Sequence, residues 1–220
     1  MSPARDGIRE LEVRIPGRGV EFAATMAVPA QPTGFVVFAH GSGSSRHSPR
    51  NRFVAETLQD TGLGTLLVDL LALQEEVDRA NVFDIELLAE RLVGAVEWLG
   101  SRPEAAGLPV GYFGASTGAG AALWAAADPS AEVAAVVSRG GRPDLAGRRL
   151  ADVRAPTLLI VGGDDTRVIE LNRLALARLT CPAELRIVPG ATHLFEEPGT
   201  LEQVADLARD WFLRYLGPQA

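Results

Sequence analysis

Lysine is absent from this sequence, and all 21 strongly basic residues are arginines. They form no clustered run, and the formal net charge is −7. Such a chain offers no footprint for a phosphate backbone, so nucleic acid is not an expected partner. An arginine-only set fits GC-rich coding rather than a function. Cysteine is almost missing too: Cys181 stands alone, so no internal disulfide can form and a reducing compartment fits. No apolar run approaches the roughly 20 residues that span a bilayer. The stretch Met1–Gly7 is polar and has no apolar signal core. The expectation is a soluble cytoplasmic protein, monomer or homodimer, with no membrane partner. Internal repeats, low-complexity tracts and linkers are lacking as well, so residues 1–220 read as a single domain.

What is present is enough apolar sequence for a full core: 220 residues, 47 % of them hydrophobic. Leu11–Ile15 alternates apolar and polar residues and reads as a strand. Pro16–Gly19 turns the chain, and Val20–Val28 reads as a second, antiparallel strand. Pro29–Thr33 is a loop. Then the pattern changes to short buried runs separated by amphipathic segments. Phe35–Phe38, Leu63–Val68, Val110–Phe113, Val133–Val137 and Thr157–Val161 have the continuous apolar character of central parallel strands, and Ala183–Val188 is a last strand. Ser48 and Pro49 make a cap and first-turn pair for a helix reaching Gln59. Asp84 caps a helix whose apolar face is Ile85, Leu88, Leu92, Val96 and Leu99. Leu171, Leu174, Ala175 and Leu179 mark another helix. Thr200–Gln203 has capping-box spacing ahead of a helix with Leu201, Val204, Ala208, Trp211 and Tyr215 on one face. Strand–helix alternation implies a mainly parallel sheet of about eight strands, covered on both faces.

In an open sheet of this type, functional groups gather at the carboxyl ends of the strands. After Phe35–Phe38 come His40-Gly41-Ser42-Gly43; after Leu66–Val68 comes Asp69. After Val110–Phe113 comes Gly114-Ala-Ser116-Thr-Gly118, a serine between two glycines where a strand gives way to a helix. That is the setting of a nucleophile elbow. Taken alone, Ser116 can be a helix cap instead. Asp164 and Asp165 follow the run ending at Val161, and His193 follows the one ending at Val188. Serine, aspartate and histidine thus share one predicted edge. A neutral imidazole can take the serine proton during attack, and a carboxylate on its other nitrogen fixes its tautomer. Of the three histidines, His193 suits the base role on a Gly- and Thr-containing loop. His47 lies in a polar loop and reads as solvated, and His40 reads as a brace.

The pieces His40-Gly-Ser-Gly43, Gly114–Gly118, Gly162-Gly-Asp-Asp165-Thr-Arg-Val168 and Gly190–His193 resemble the α/β-hydrolase superfamily. The specific likeness is to the small, lid-poor dienelactone hydrolase-like group, along nearly the whole chain. The resemblance implies an α/β-hydrolase fold with a minimal cap. It implies Ser116 as nucleophile, Asp165 as orienting acid and His193 as base. Asp165 is preferred to Asp164 because Gly162, Asp165 and Val168 fit the group's spacing. The backbone N–H groups of Thr117 and Ser42 would form the oxyanion hole, with Gly43 as the alternative to Ser42. Such donors are worth about 3–4 kcal/mol each. Dienelactone hydrolases proper carry cysteine at the nucleophile position. Serine here points away from the dienelactone substrate and toward ordinary carboxylic esters, cleaved through an acyl-enzyme.

Gly43, Leu70 and Arg139 are the candidate substrate-binding residues. Leu70–Leu73 lines the pocket or is buried beneath the next helix. Arg139 and Arg142 bind an acidic substrate group or pair with surface carboxylates. Trp124 reads as core, and Glu75, Glu76 and Asp78 as a solvated face, so no metal site is expected. The stretches Leu70–Phe83 and Arg139–Arg154 are the only candidate flaps, which suggests an open site for small or soluble esters. No cofactor is called for, and the expected partner is a small-molecule ester. Fold does not fix substrate. A thioesterase, amidase, acyl transferase or carbon–carbon hydrolase on the same triad, a promiscuous phosphotriester hydrolase and a non-catalytic binding protein remain alternatives.

Overall fold

A computed structural model describes residues 7–17 and 19–217. The polar stretch before Gly7 and Arg18 of the first turn lie outside the described residues. Eight strands form one sheet in the order β1-β2-β4-β3-β5-β6-β7-β8. They are β1 (Ile8–Pro16), β2 (Glu21–Pro29), β3 (Gly34–Ala39), β4 (Leu63–Val68), β5 (Val110–Ala115), β6 (Val133–Arg139), β7 (Thr157–Gly162) and β8 (Ala183–Val188). Strand β2 runs antiparallel to β1 and to β4, and the remaining pairs are parallel. Every expected strand exists, with ends shifted by a few residues.

The helices are α1 (Pro49–Gln59), α2 (Leu73–Glu76), α3 (Arg79–Val82), α4 (Ile85–Gly100), α5 (Thr117–Ala126), α6 (Thr166–Leu176) and α7 (Thr200–Leu216), with a 3₁₀ segment at Pro143–Asp152. Strands β3, β4, β5 and β7 are buried at every residue, which is why they lack polar alternation. Side chains of α4 and α5 pack on one sheet face, those of α1 and α7 on the other. Leu88, Leu92 and Leu99 of α4 are each at most 5 % exposed, and burying such a side chain contributes about 1.5–3 kcal/mol.

Two expected helix patterns are corrected. Helix α6 buries Val168, Ile169, Asn172 and Ala175, while Leu174 is exposed and Leu179 lies past its end. The misleading leucines hid a polar residue on the buried face. Asn172 is tolerated there because its amide donates to the carbonyls of Gly141 (3.0 Å) and Val168 (2.8 Å). At α7, Thr200 does not cap. Gly199, at φ 79°, takes the N-cap position, Thr200 Oγ1 donates back to the Glu197 carbonyl, and Gln203 Nε2 donates to the Gly199 carbonyl.

Chain direction around the sheet reverses at β3 and β5: β4 lies on one side of β3, and β5, β6, β7 and β8 follow on the other. The crevice at such a switch point is where open α/β sheets bind ligands. The loops after β3 and β5 meet there.

Candidate active site

Ser116 sits between β5 and α5 with φ 50° and ψ −120°. A side chain rarely adopts that conformation, and it stores about 1–3 kcal/mol of strain. Three backbone hydrogen bonds hold it. Ser116 N–H donates to the Arg139 carbonyl (3.2 Å), and the Ser116 carbonyl accepts from Ala119 (3.1 Å) and Arg142 (3.0 Å). Gly118 lets α5 start directly under β3, since a Cβ there would stand 2.3 Å from the Ala39 carbonyl oxygen. Ser116 occupies the N-cap position of α5, yet its side chain makes no capping bond. The Oγ faces His193 Nε2 at 3.4 Å instead.

His193 is brought in by the loop after β8. Gly162 makes room for that loop, because a Cβ there would lie 2.3 Å from the Ala191 carbonyl oxygen. The Asp164 amide donates to the same carbonyl at 3.0 Å. Glu197 braces the loop from within, accepting from Thr192 N–H (3.1 Å) and Oγ1 (2.6 Å). These bonds hold the Glu197 carboxyl below the ordinary carboxylate range. Asp165 Oδ2 meets His193 Nδ1 at 2.6 Å, whereas the side chain of Asp164 is exposed. Asp165 also stands at the N-cap position of α6 without a side-chain capping bond. An ionised carboxylate only accepts, so Nδ1 carries the proton and Nε2 has its lone pair free toward Ser116. An imidazole so placed can take up a hydroxyl proton.

Ser42 and Gly43 are exposed on the loop after β3, and Gly43 turns the chain at φ 72°. The Thr117 and Ser42 hydroxyls stand 3.5 Å apart. Neither residue's amide is committed to a backbone turn bond. A cavity of about 310 Å³ opens between this loop and the stretch 70–88, walled by Leu70, Leu71, Val82 and Leu88, with Glu76 and Thr117 at its polar parts. Leu70 is both buried and a wall of this cavity, while Leu73 is 85 % exposed.

Of the other residues singled out by the sequence, some meet expectation and some do not. Arg142 pairs bidentately with Asp144 at 2.8 and 2.9 Å, as an Arg–carboxylate pair should. Among the described residues Arg139 pairs with no carboxylate; it is buried, and its Nε and Nη1 have no acceptor there. Glu75 is no solvated residue: it accepts from the buried Arg91 (2.7 Å) and from the Ala72 amide (2.9 Å). Asp78 caps α3, and Glu76 reaches the cavity. His40 donates through Nδ1 to the Gly41 carbonyl at 2.9 Å, a brace as expected. His47 is exposed. Trp124 is partly buried, with the Arg149 guanidinium 5.3 Å over its ring. Cys181 lies beside Thr157, at the opposite end of β7 from Asp165.

Sequence reasoning missed the clamp on the loop after β3. Asp69 accepts from the Arg46 amide at 2.7 Å and from Arg46 Nη1, and Arg46 Nη2 reaches Glu12 at 3.2 Å. The position of Asp69 at a strand end was visible, but its partner was not. Among the described residues no group of three or more His, Cys, Asp or Glu is placed to hold a metal ion. Among the described residues no helix is long and apolar enough to cross a membrane.

The model of the dienelactone hydrolase family matches residues 22–216. A solved dienelactone hydrolase from Anabaena variabilis is 56 % identical, with a TM-score of 0.92 over 96 % of this chain and 99 % of that one. Est1E from Butyrivibrio proteoclasticus shares the fold at 15 % identity, with a TM-score of 0.80 over 94 % of this chain and 99 % of its own. Proteins from two strains of Mycobacterium tuberculosis, provisionally named phosphoribosyl transferases, are 64 % identical over 212 residues. That match covers 96 % of this chain and 48 % of theirs. The chain thus spans about half the length of these curated relatives.

Proposed function

The chain belongs to the dienelactone hydrolase family, and from that premise we propose that it is a serine hydrolase cleaving small carboxylic esters through an acyl-enzyme on Ser116. The observation that carries the reading is the His193 ring, bonded through Nδ1 to Asp165 at 2.6 Å and facing Ser116 Oγ through Nε2 at 3.4 Å. The second distance is longer than a tight catalytic hydrogen bond, as is common without substrate.

Ser116 Oγ attacks the ester carbonyl carbon while His193 Nε2 takes the hydroxyl proton. The tetrahedral oxyanion is held by the Thr117 and Ser42 amides, the first fixed by the start of α5 and the second by the loop that Asp69 clamps. Asp165 stabilises the imidazolium. His193 then gives its proton to the leaving alkoxide as the C–O bond breaks. Water enters, loses a proton to His193 and attacks the acyl-enzyme. The same tetrahedral chemistry returns Ser116 and releases the acid. The cavity of about 310 Å³ with its Leu70, Leu71, Val82 and Leu88 walls suits a short aliphatic or aryl group rather than a long lipid chain.

The transferase name of the mycobacterial proteins belongs to chains about twice as long. The stretch matched here is the one that carries the hydrolase pattern, and that pattern supports hydrolysis for this chain. The test is labelling of Ser116 by a fluorophosphonate probe, beside a panel of p-nitrophenyl esters, thioesters and anilides. Labelling lost in both Ser116→Ala and His193→Ala, with esters the best substrates, is the expected result. Equal ester turnover by wild type and Ser116→Ala overturns the proposal, and faster thioester or anilide turnover reassigns the acyl substrate.

A further inference from the structure

The short helices α2 and α3 and the turn before α4 are rich in carboxylates, and all but one are in use. Glu75 accepts from Arg91 at 2.7 Å and from the Ala72 amide at 2.9 Å. Asp78 accepts from the Ala80 amide at 2.9 Å, and Asp84 from the Leu87 amide at 3.0 Å. Glu76 is the exception. Its carboxylate has no hydrogen bond or ion pair among the described residues, and it lines the cavity that opens beside Ser42 and Thr117. Its place is held from behind. Arg91, the partner of Glu75, is only 6 % exposed, and Asn81 Nδ2 donates to the Glu75 carbonyl at 2.9 Å. These bonds tie α2 to α4 and α3, so the residue after Glu75 stands at the cavity.

The rest of the lining carries no compensating cation. Among the described residues no arginine lines the cavity, and the chain has no lysine. Arg46, on the same loop as Ser42, is committed to Asp69 and Glu12. Arg79 is exposed and outside the lining. His40, the other titratable group of the lining, donates through Nδ1 to the Gly41 carbonyl. A carboxylate beside apolar walls attracts a cation more strongly than one in open water.

We propose that Glu76 is a specificity-determining residue of the active centre, selecting esters that carry an ammonium group on the short acyl or alcohol part lodged in this cavity. The inference rests on the ester-hydrolase reading for the ester, and on the unpaired carboxylate in the cavity for the cation. The methyl groups of an alkylated ammonium pack on the leucine and valine walls while its charge meets Glu76. Glu76 takes no part in making or breaking bonds, so it acts on binding.

The test uses two pairs of esters. One pair is the p-nitrophenyl ester of γ-(trimethylammonio)butyric acid and its isostere with a tert-butyl group in place of the cation. The other is acetylcholine and its isostere with carbon in place of nitrogen. The ratio of kcat/KM within each pair is measured in wild type, Glu76→Gln, Glu76→Lys and Glu132→Gln. Glu132 is exposed just before β6, at the amino ends of the parallel strands, and controls for overall charge. In at least one pair the cation-to-isostere ratio falls by about threefold or more from wild type to Glu76→Gln, through KM, and falls again in Glu76→Lys. The wild-type ratio drops toward the Glu76→Gln value in about 0.5 M sodium chloride, as a partly exposed ion pair should. Glu132→Gln keeps the wild-type ratio. A merely structural carboxylate would move both members of a pair together. In parallel, calorimetry follows binding of each ester to Ser116→Ala, which holds ester without turning it over, with and without Glu76→Gln.

Ratios equal in wild type and Glu76→Gln for both pairs overturn the proposal and leave the hydrolase reading standing. So does a fall of the same size in Glu132→Gln, which assigns the preference to the net charge of the chain. If wild type turns over no ester, yet Ser116→Ala binds a cationic member more tightly than its isostere and Glu76→Gln removes the difference, the cation subsite stands and the ester-hydrolase reading fails. With neither turnover nor binding that depends on Glu76, both fall.

Discussion

Asp165 and His193, 28 residues apart in sequence, meet through a 2.6 Å hydrogen bond between Oδ2 and Nδ1. The contact joins the turn after β7 to the loop after β8, which Glu197 and Gly162 hold in place. It fixes the imidazole so that its other nitrogen faces Ser116 Oγ at 3.4 Å.

That orientation is expected to govern turnover. Asp165→Asn should lower kcat for a p-nitrophenyl ester by about 10³–10⁴-fold, by favouring the wrong tautomer. Asp164→Asn should change it by less than about twofold, since its side chain is exposed and does not face His193. Steady-state kinetics of the two variants decide which carboxylate matters.

Ser116 holds φ 50° and ψ −120°, a conformation natural to glycine. Ser116→Gly should therefore be more stable than wild type by about 1 kcal/mol or more, while losing hydrolysis. Gly118→Ala should be less stable by about 2 kcal/mol or more, because the new methyl would press on the Ala39 carbonyl. Urea unfolding of both variants measures the opposite signs. A destabilised Ser116→Gly would remove the claim of strain.

The clamp between Asp69 and Arg46 fixes the loop that bears Ser42. Asp69→Asn keeps one acceptor but loses the charge. It should lower kcat by about tenfold and leave KM within about twofold, the mark of a group acting on the transition state. An unchanged kcat would mean that the loop is held without it.

Glu197 is held below the ordinary carboxylate range by Thr192. A carboxyl whose pKa is lower in the folded chain adds stability above its unfolded pKa and loses it as pH falls through the folded one. The melting difference between wild type and Glu197→Gln should thus be full at neutral pH and close only under acid conditions below the usual glutamate range. A difference that closes between pH 6 and 8 would point to another group.

The strands were legible because β3, β4, β5 and β7 are buried throughout and so appear as unbroken apolar runs. The carboxyl ends of β5, β7 and β8 then placed Ser116, Asp165 and His193 on one edge. The α6 face was misread, because Leu171, Leu174 and Leu179 looked like its stripe while the buried Asn172 did not. Asn172 is satisfied by carbonyls of Gly141 and Val168, one of them 31 residues away, and no local pattern reveals such a partner. For the same reason Glu75 read as solvated, although Arg91 sits 2.7 Å from it.

Apolar periodicity and the glycine pattern around Ser116 determined the alternation of strands and helices, because both are properties of the local chain. Only the tertiary structure decided which side chains lack a partner. Arg139 is the sharpest case. Its sequence setting favours a surface ion pair over a substrate contact. Enclosure beside the elbow, with Arg50 as neighbour and no acceptor for Nε or Nη1 among the described residues, is set by segments far apart in sequence. Desolvation and charge pairing depend on distance in space, which the order of residues alone does not contain.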